Sequence, residues 1–270
     1  MRSPSIIRLA TLVFPVLIGC DKHCPPPIDI CTQRISPEQL ASTDEVALKS
    51  FHARVPGRHD RWTDLTILYH ANWPHCSLRL TFLDGTNRLQ KLVMEAAGEW
   101  HAATGVTFSP SDDANAEIRV SFSGTTNQSW VGRSGETVAT GQPTLFLGGV
   151  AASDARSRIL ALARHELGHA LGAPHEHQSP LANIHWNKPE VRAYYHAGPY
   201  HWNDAEIEAN VFRQYGADEA DQDHFDASSI MMYPIPKEWT TDGIHVENNV
   251  ALSAEDERFM RQIYSACPPP

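Results

Sequence analysis

Residues 165–175 read HELGHALGAPH, the pattern H-E-x-x-H-x-x-G-x-x-H, which supplies three imidazoles and one carboxylate at spacings that suit a catalytic zinc ion. Residues four apart on a helix lie one turn above each other. His165 and His169 can therefore aim ring nitrogens at a common point, and Glu166 borders that point. A tetrahedral ion needs its third ligand from the side, where the same straight helix cannot reach. Gly172 can take the left-handed conformation that ends a helix, and Ala173 and Pro174 then carry the chain outward so that His175 returns to the metal. Three neutral imidazoles leave a fourth position open for water, which marks a catalytic rather than a structural zinc. A bare H-E-x-x-H recurs by accident; requiring the further Gly and His, 16 and 15 of 270 residues, cuts that chance roughly 300-fold. His177, His185, His196, His201 and His224 show no such spacing and read as solvated or packed side chains.

Around the motif the sequence alternates between helix and strand signals. Leu89, Leu92, Val93, Ala96, Ala97 and Trp100 follow i, i+3, i+4, i+7, so a helix from Asn87 to Thr104 is expected, stopped by Gly105. Alternation in residues 78–82 and 117–122 predicts strands with one buried face, and residues 143–148 read as a further strand. Ser153 or Asp154 can cap the metal helix, which runs through Ile159, Leu160, Leu162 and Ala163 to Leu171. Ser253 and Asp256 form a capping-box-like start to a last helix through Ile263.

Far downstream, residues 229–234 read SIMMYP after the acidic stretch 221–226. Beside the long zinc motif, this resembles the Met-turn of metzincin peptidases, and the order Ser-x-Met-x-Tyr resembles their astacin branch. The resemblance runs in order over residues 62–268. It implies an α+β, two-lobed zinc peptidase domain with an N-terminal twisted sheet and helices, and a C-terminal lobe that is mostly irregular with a final helix. It also implies Met231 as an apolar floor beneath the metal and Tyr233 as a switchable ligand with a catalytic role. After the third histidine the chain reads HEHQSP (175–180), closer to microbial members than to animal ones. Only His165, His169, His175, Glu166, Met231 and Tyr233 are carried over. A bridge between Cys76 and Cys267 would resemble the family disulfide that ties the early domain to its C-terminus.

The N-terminus bears on compartment. Arg2 and Arg8 precede an apolar run, residues 9–18, shorter than the roughly 18–20 residues of a spanning helix, so residues 1–20 read as an export signal. Its end, LIGC (17–20), resembles a bacterial lipobox, which makes Cys20 a lipid-anchor candidate and the protein a cell-envelope lipoprotein or a secreted one. Residues 21–61, with three consecutive prolines at 25–27 and one short helix expected at 37–51, are a linker or a propeptide. Setting Cys20 aside leaves Cys24, Cys31, Cys76 and Cys267, an even number in an exported chain, with three connectivities open. Proximity suggests Cys24 with Cys31; in the alternative, one of these two caps the zinc in a latent form. The net charge of −10 becomes −12 once Arg2 and Arg8 are removed, which argues against nucleic acid or anionic lipid as a partner. A peptide or protein substrate and a monomeric state are expected.

The chemistry that follows is peptide hydrolysis by a zinc-activated water, with Glu166 taking the proton and passing it to the leaving amine. An extended substrate would add to a sheet edge, for which residues 143–148 are the candidate. Two other classes compete: a surface binding protein or adhesin that keeps the fold without turnover, and a closed structural zinc site. The intact Glu166 speaks against the first, and the lack of a nearby fourth Cys or His in the motif against the second.

Overall fold

A computed structural model describes residues 71–197, 200–215 and 225–269, and the backbone alone of residues 31–34, 67–68 and 220–221. The signal segment, Cys20, Cys24, the side chain of Cys31, the helix expected at 37–51 and His224 lie outside the described residues. Strands β1 (Cys31–Arg34), β3 (Ser77–Phe82), β4 (Thr107–Pro110), β5 (Ile118–Ser121), β6 (Asn127–Trp130) and β7 (Leu145–Leu147) form one sheet in the order β1-β6-β7-β5-β3-β4. All its pairings are parallel except β6 with β7. A separate antiparallel pair joins β2 (Ile67–Leu68) to β8 (Ala220–Asp221).

Helix α1 (Asn87–Thr104) has the expected bounds and buries the expected stripe. Thr86 caps it by accepting the Leu89 N–H, and Gly105 at φ 80° ends it. Any side chain at Gly105 would strike the backbone of Pro268, so glycine is required by space as well as by dihedral. Helix α2 (Arg156–Ala170) carries the zinc motif and packs on α1. It opens later than expected: Ala155 holds the N-cap position without a side-chain bond, while Asp154 instead accepts the Ala151 N–H and pairs with Arg158. Bonds that lock α2 to α1 include Trp100 Nε1–H to Arg164 O at 2.8 Å, the forked pair of Arg164 with Glu99 at 2.5 and 2.6 Å, and the pair of Arg156 with Glu95. At its far end, Trp73 Nε1–H donates to Ala170 O and the Tyr264 hydroxyl to Leu171 O. The Cys76–Cys267 disulfide is formed and ties the end of the described chain to the start of β3.

Two strand expectations need correction. All four residues of β5 are buried, so its alternation does not mark one wet face. The strand lies between β3 and β7, and the Arg119 guanidinium is taken up by the carbonyls of Ala116, Val138 and Gln142. An arginine that saturates its donors on carbonyls can sit inside. Residues 143–148 are not an edge either: β7 pairs with β5 on one side and β6 on the other. The edge strands of this sheet are β1 and β4, and β1 covers the outer side of β6 in parallel.

Downstream of the zinc motif, α3 (Lys188–Ala197) and the short α4 (Asp204–Ile207) with its Asn203–Glu206 capping box gather around a second core of Val191, Tyr195, Ile207, Val211, Trp239 and Val246. The chain then returns through irregular segments to α5 (Ala254–Ile263), which starts at the expected Ser253–Asp256 capping box and packs on α1. The result is the expected α+β domain with an irregular C-terminal lobe. Ile230 and Met231 belong to the first core, Met232 and Tyr233 to the second, so residues 230–233 stitch the two lobes together.

Candidate metal centre

The turn that ends α2 builds half of the site. Gly172, at φ 107°, donates its N–H to His169 O, and Ala173 donates to Gly168 O, the double bond of a Schellman motif. That motif turns the Ala173 carbonyl back onto the helix, where it accepts the His169 Nδ1–H at 2.6 Å. The other half comes from the distant segment around Met231, where Ile230 O accepts the His165 Nδ1–H at 2.6 Å. A carbonyl can only accept, so in both rings the proton sits on Nδ1 and Nε2 carries the lone pair that can ligate a metal.

The three rings converge. His169 Nε2 and His175 Nε2 lie 3.1 Å apart, and the ligand nitrogens of His165, His169 and His175 are all within 4.8 Å of one another. Nitrogens about 2.0–2.1 Å from a tetrahedral zinc stand about 3.4 Å apart, so the cluster fits the ion with small adjustments. His165 Nε2 is buried and has no hydrogen-bond partner among the described residues. A buried acceptor left unpaired is costly, and a cation removes that cost. Burial lowers the pKa of His165 to about 4 despite the opposing bond to Ile230, and it also holds His169 and His175 well below the ordinary histidine value, each reinforced by its neighbouring imidazoles. All three are therefore neutral and able to coordinate at physiological pH.

Glu166 is completely buried beside the first ligand. Met231 is fully buried with its sulfur against Gly168, where an added methyl would overlap Sδ and press on Trp100. The glycine inside the motif is thus a packing requirement, which the motif pattern, with an x at that position, does not show. The Tyr233 ring lies 4.3 Å from the His175 ring and 4.2 Å from that of His177, centroid to centroid. His177 is packed, as expected; its Nε2–H donates to Asn210 O, and burial pushes it down to about 3. His185, His196 and His201 are exposed. Glu176 received no role from the sequence, yet it is buried, with its N–H on Met231 O and Oε1 accepting the Asp226 N–H. Asp256 was legible only as a helix cap; its bonds to the segment before Met231 were not.

A mixed sheet over a helix that carries His165, Glu166 and His169, with His175 brought in by the turn beyond it so that three neutral imidazoles converge, defines a metzincin zinc metalloendopeptidase acting on peptide or protein substrates. The family model of the astacin peptidases matches residues 66–197. A solved structure of myroilysin is 32% identical with a TM-score of 0.71, the likeness covering 74% of this chain and 98% of that one. A second myroilysin crystal structure is 28% identical with a TM-score of 0.59, covering 88% of this chain and 92% of that one. Comparison with curated proteins gives no match. The chain belongs to the astacin family, and His165, His169 and His175 are its zinc triad.

Because these imidazoles are neutral when folded, the unfolded chain takes up protons that the zinc-free folded protein refuses. Stability should be complete above the ordinary histidine value of 6.5 and decline as pH falls towards about 4, with His165 alone contributing on the order of 3 kcal/mol. Asp256, pushed up to about 6 chiefly by burial, acts in the opposite sense, losing stability as pH rises from 3.8 to about 6. One carboxyl does not offset His165, His169, His175 and His177. Denaturant midpoints of the zinc-stripped protein between about pH 7 and about pH 4 check this, and a flat profile would contradict it.

Proposed function

We propose that Glu166 is the general base of this peptidase and Tyr233 its oxyanion donor, that Met231 floors the metal, and that the enzyme is exported with residues 21–61 as a propeptide. The observation that carries the catalytic reading is the convergence of three buried imidazoles next to a buried glutamate. Zinc, when bound by His165, His169 and His175, supplies a Lewis acid that acidifies water and polarises the scissile carbonyl. Glu166 takes the proton of the attacking water and delivers it to the leaving amine. Tyr233, packed on the third ligand, donates a hydrogen bond to the developing oxyanion. An adhesin without turnover would have no use for a carboxylate buried at that place.

Substrate binding falls to the rim of the sheet. The expected edge at residues 143–148 is interior; once β1 is removed, β6 becomes the edge to which an extended peptide would add. A cavity of about 250 Å³, lined by Arg158, Leu162, His165, Tyr233, Asn249 and Val250 among others, opens beside the first ligand and would receive a substrate side chain. The pairing of β1 along β6 supports the propeptide reading, because residues 31–34 take the hydrogen-bonding positions that a substrate strand needs. If Cys20 carries lipid, cleavage between the propeptide and the domain both clears β6 and cuts the anchor.

Three outcomes are expected. Glu166→Gln should retain about one zinc per chain and lose at least about 10²-fold in kcat; equal hydrolysis by the variant would rule out the base. Tyr233→Phe should keep fold and zinc while kcat falls about 10²- to 10³-fold with KM little changed. If Tyr233 only packs against His175 and His177, the Phe variant will match the parent in kcat. Mass spectrometry of freshly synthesised, pulse-labelled protein should find an acylated Cys20 as the first residue. An unmodified terminus downstream of it would exclude the anchor.

A further inference from the structure

The first zinc ligand is held in place from the far end of the chain. His165 Nδ1–H rests on Ile230 O, and Ile230 is in turn held by Asp256 of α5. Asp256 is fully buried, although burying a carboxylate opposes folding unless its oxygens are fully bonded. As a helix cap it needs only the Ser253 N–H, which reaches Oδ2 at 2.8 Å. Its other bonds go to the segment before Met231: the Ile230 N–H to Oδ2 at 2.8 Å and the Ser229 hydroxyl to Oδ1 at 2.7 Å. That same hydroxyl accepts the Met231 N–H at 3.0 Å. The Ser253 hydroxyl donates to Asp226 Oδ2 at 2.7 Å, and the Asp226 N–H donates to Glu176 Oε1, which carries the network to the residue after His175.

We infer that Asp256 is a positioning residue of the zinc site: it clamps residues 229–231 so that the Ile230 carbonyl stays fixed behind His165 and keeps Nε2 aimed at the metal. It touches neither the substrate nor the ion. Of the two carbonyls that orient ligands, Ala173 O is set locally by the turn ending α2, whereas Ile230 O lies in an irregular segment that no ladder of a helix or sheet holds. A buried acceptor with three donors supplies the missing constraint. The inference rests on the zinc triad described above.

The test uses the full chain with Asp256→Ala, Asp256→Asn and Phe259→Leu. Phe259 is buried on the same helix, in the core, and serves as a control for lost stability. Zinc dissociation constants are measured by chelator competition, and kcat and KM at saturating zinc. Asp256→Ala should bind zinc about 10- to 100-fold more weakly, with kcat reduced and KM little changed. Asparagine can accept both N–H groups on its oxygen and donate its amide to Ser229, so Asp256→Asn should stay within about threefold of the parent. Phe259→Leu should lower the melting temperature while leaving zinc affinity within about twofold. An unchanged zinc constant in Asp256→Ala, or an equal loss in Phe259→Leu at a matched melting temperature, would overturn the positioning role and leave Asp256 a helix cap. Should Asp256→Ala fail to fold, Ser229→Ala replaces it, with about threefold or greater weakening expected and an unchanged constant overturning the role. A parent protein that itself binds no zinc would instead sink the triad.

Discussion

Two backbone carbonyls, Ile230 O and Ala173 O, set the chemical state of the zinc site, because each accepts the Nδ1 proton of one ligand and commits the opposite ring nitrogen to the metal. Burial then does the rest. Removed from water, the imidazoles resist protonation, and a nitrogen such as His165 Nε2 meets no other described partner. Much of the surrounding architecture can be understood as the means of holding those two carbonyls still. One is turned inward by the Schellman motif at Gly172, over a span of a few residues. The other arrives from a segment 65 positions away and is fixed by the buried network of Ser229, Ser253 and Asp256.

The site lies on the seam between two hydrophobic cores, and this placement serves preorganisation. Helix α2 is braced along its length by Trp100 and Glu99 and at its end by Trp73 and Tyr264, so His165 and His169 stand on a rigid element. The Cys76–Cys267 bridge draws the C-terminal end onto the same lobe. Residues 230–233 cross from one core to the other, presenting Met231 to α2 and Tyr233 to the ring of His175. A peptidase built this way orders its ligands before substrate arrives, and ligand order is what a metal-assisted reaction needs most. Strand β6 packs beside α2, with β1 paired along its other side.

What the sequence determined by itself is everything decided within a few turns of chain. The zinc ligands follow from helical periodicity and one glycine; α1 follows from its apolar stripe and Gly105; α5 follows from Ser253 and Asp256, because side-chain spacing and capping are local physics. Tertiary structure decided the remainder. Whether residues 145–147 form an edge or an interior strand depends on which strands flank them, and alternation in residues 118–121 says nothing about a loop that arrives to bond Arg119. Gly168 owes its identity to a methionine 63 positions on, and Asp256 its burial to Ser229 and Ile230. Each of these depends on a pairing between distant groups, made because buried polar atoms must be bonded and buried surfaces must interlock, and single-chain periodicity carries no record of which distant group that is.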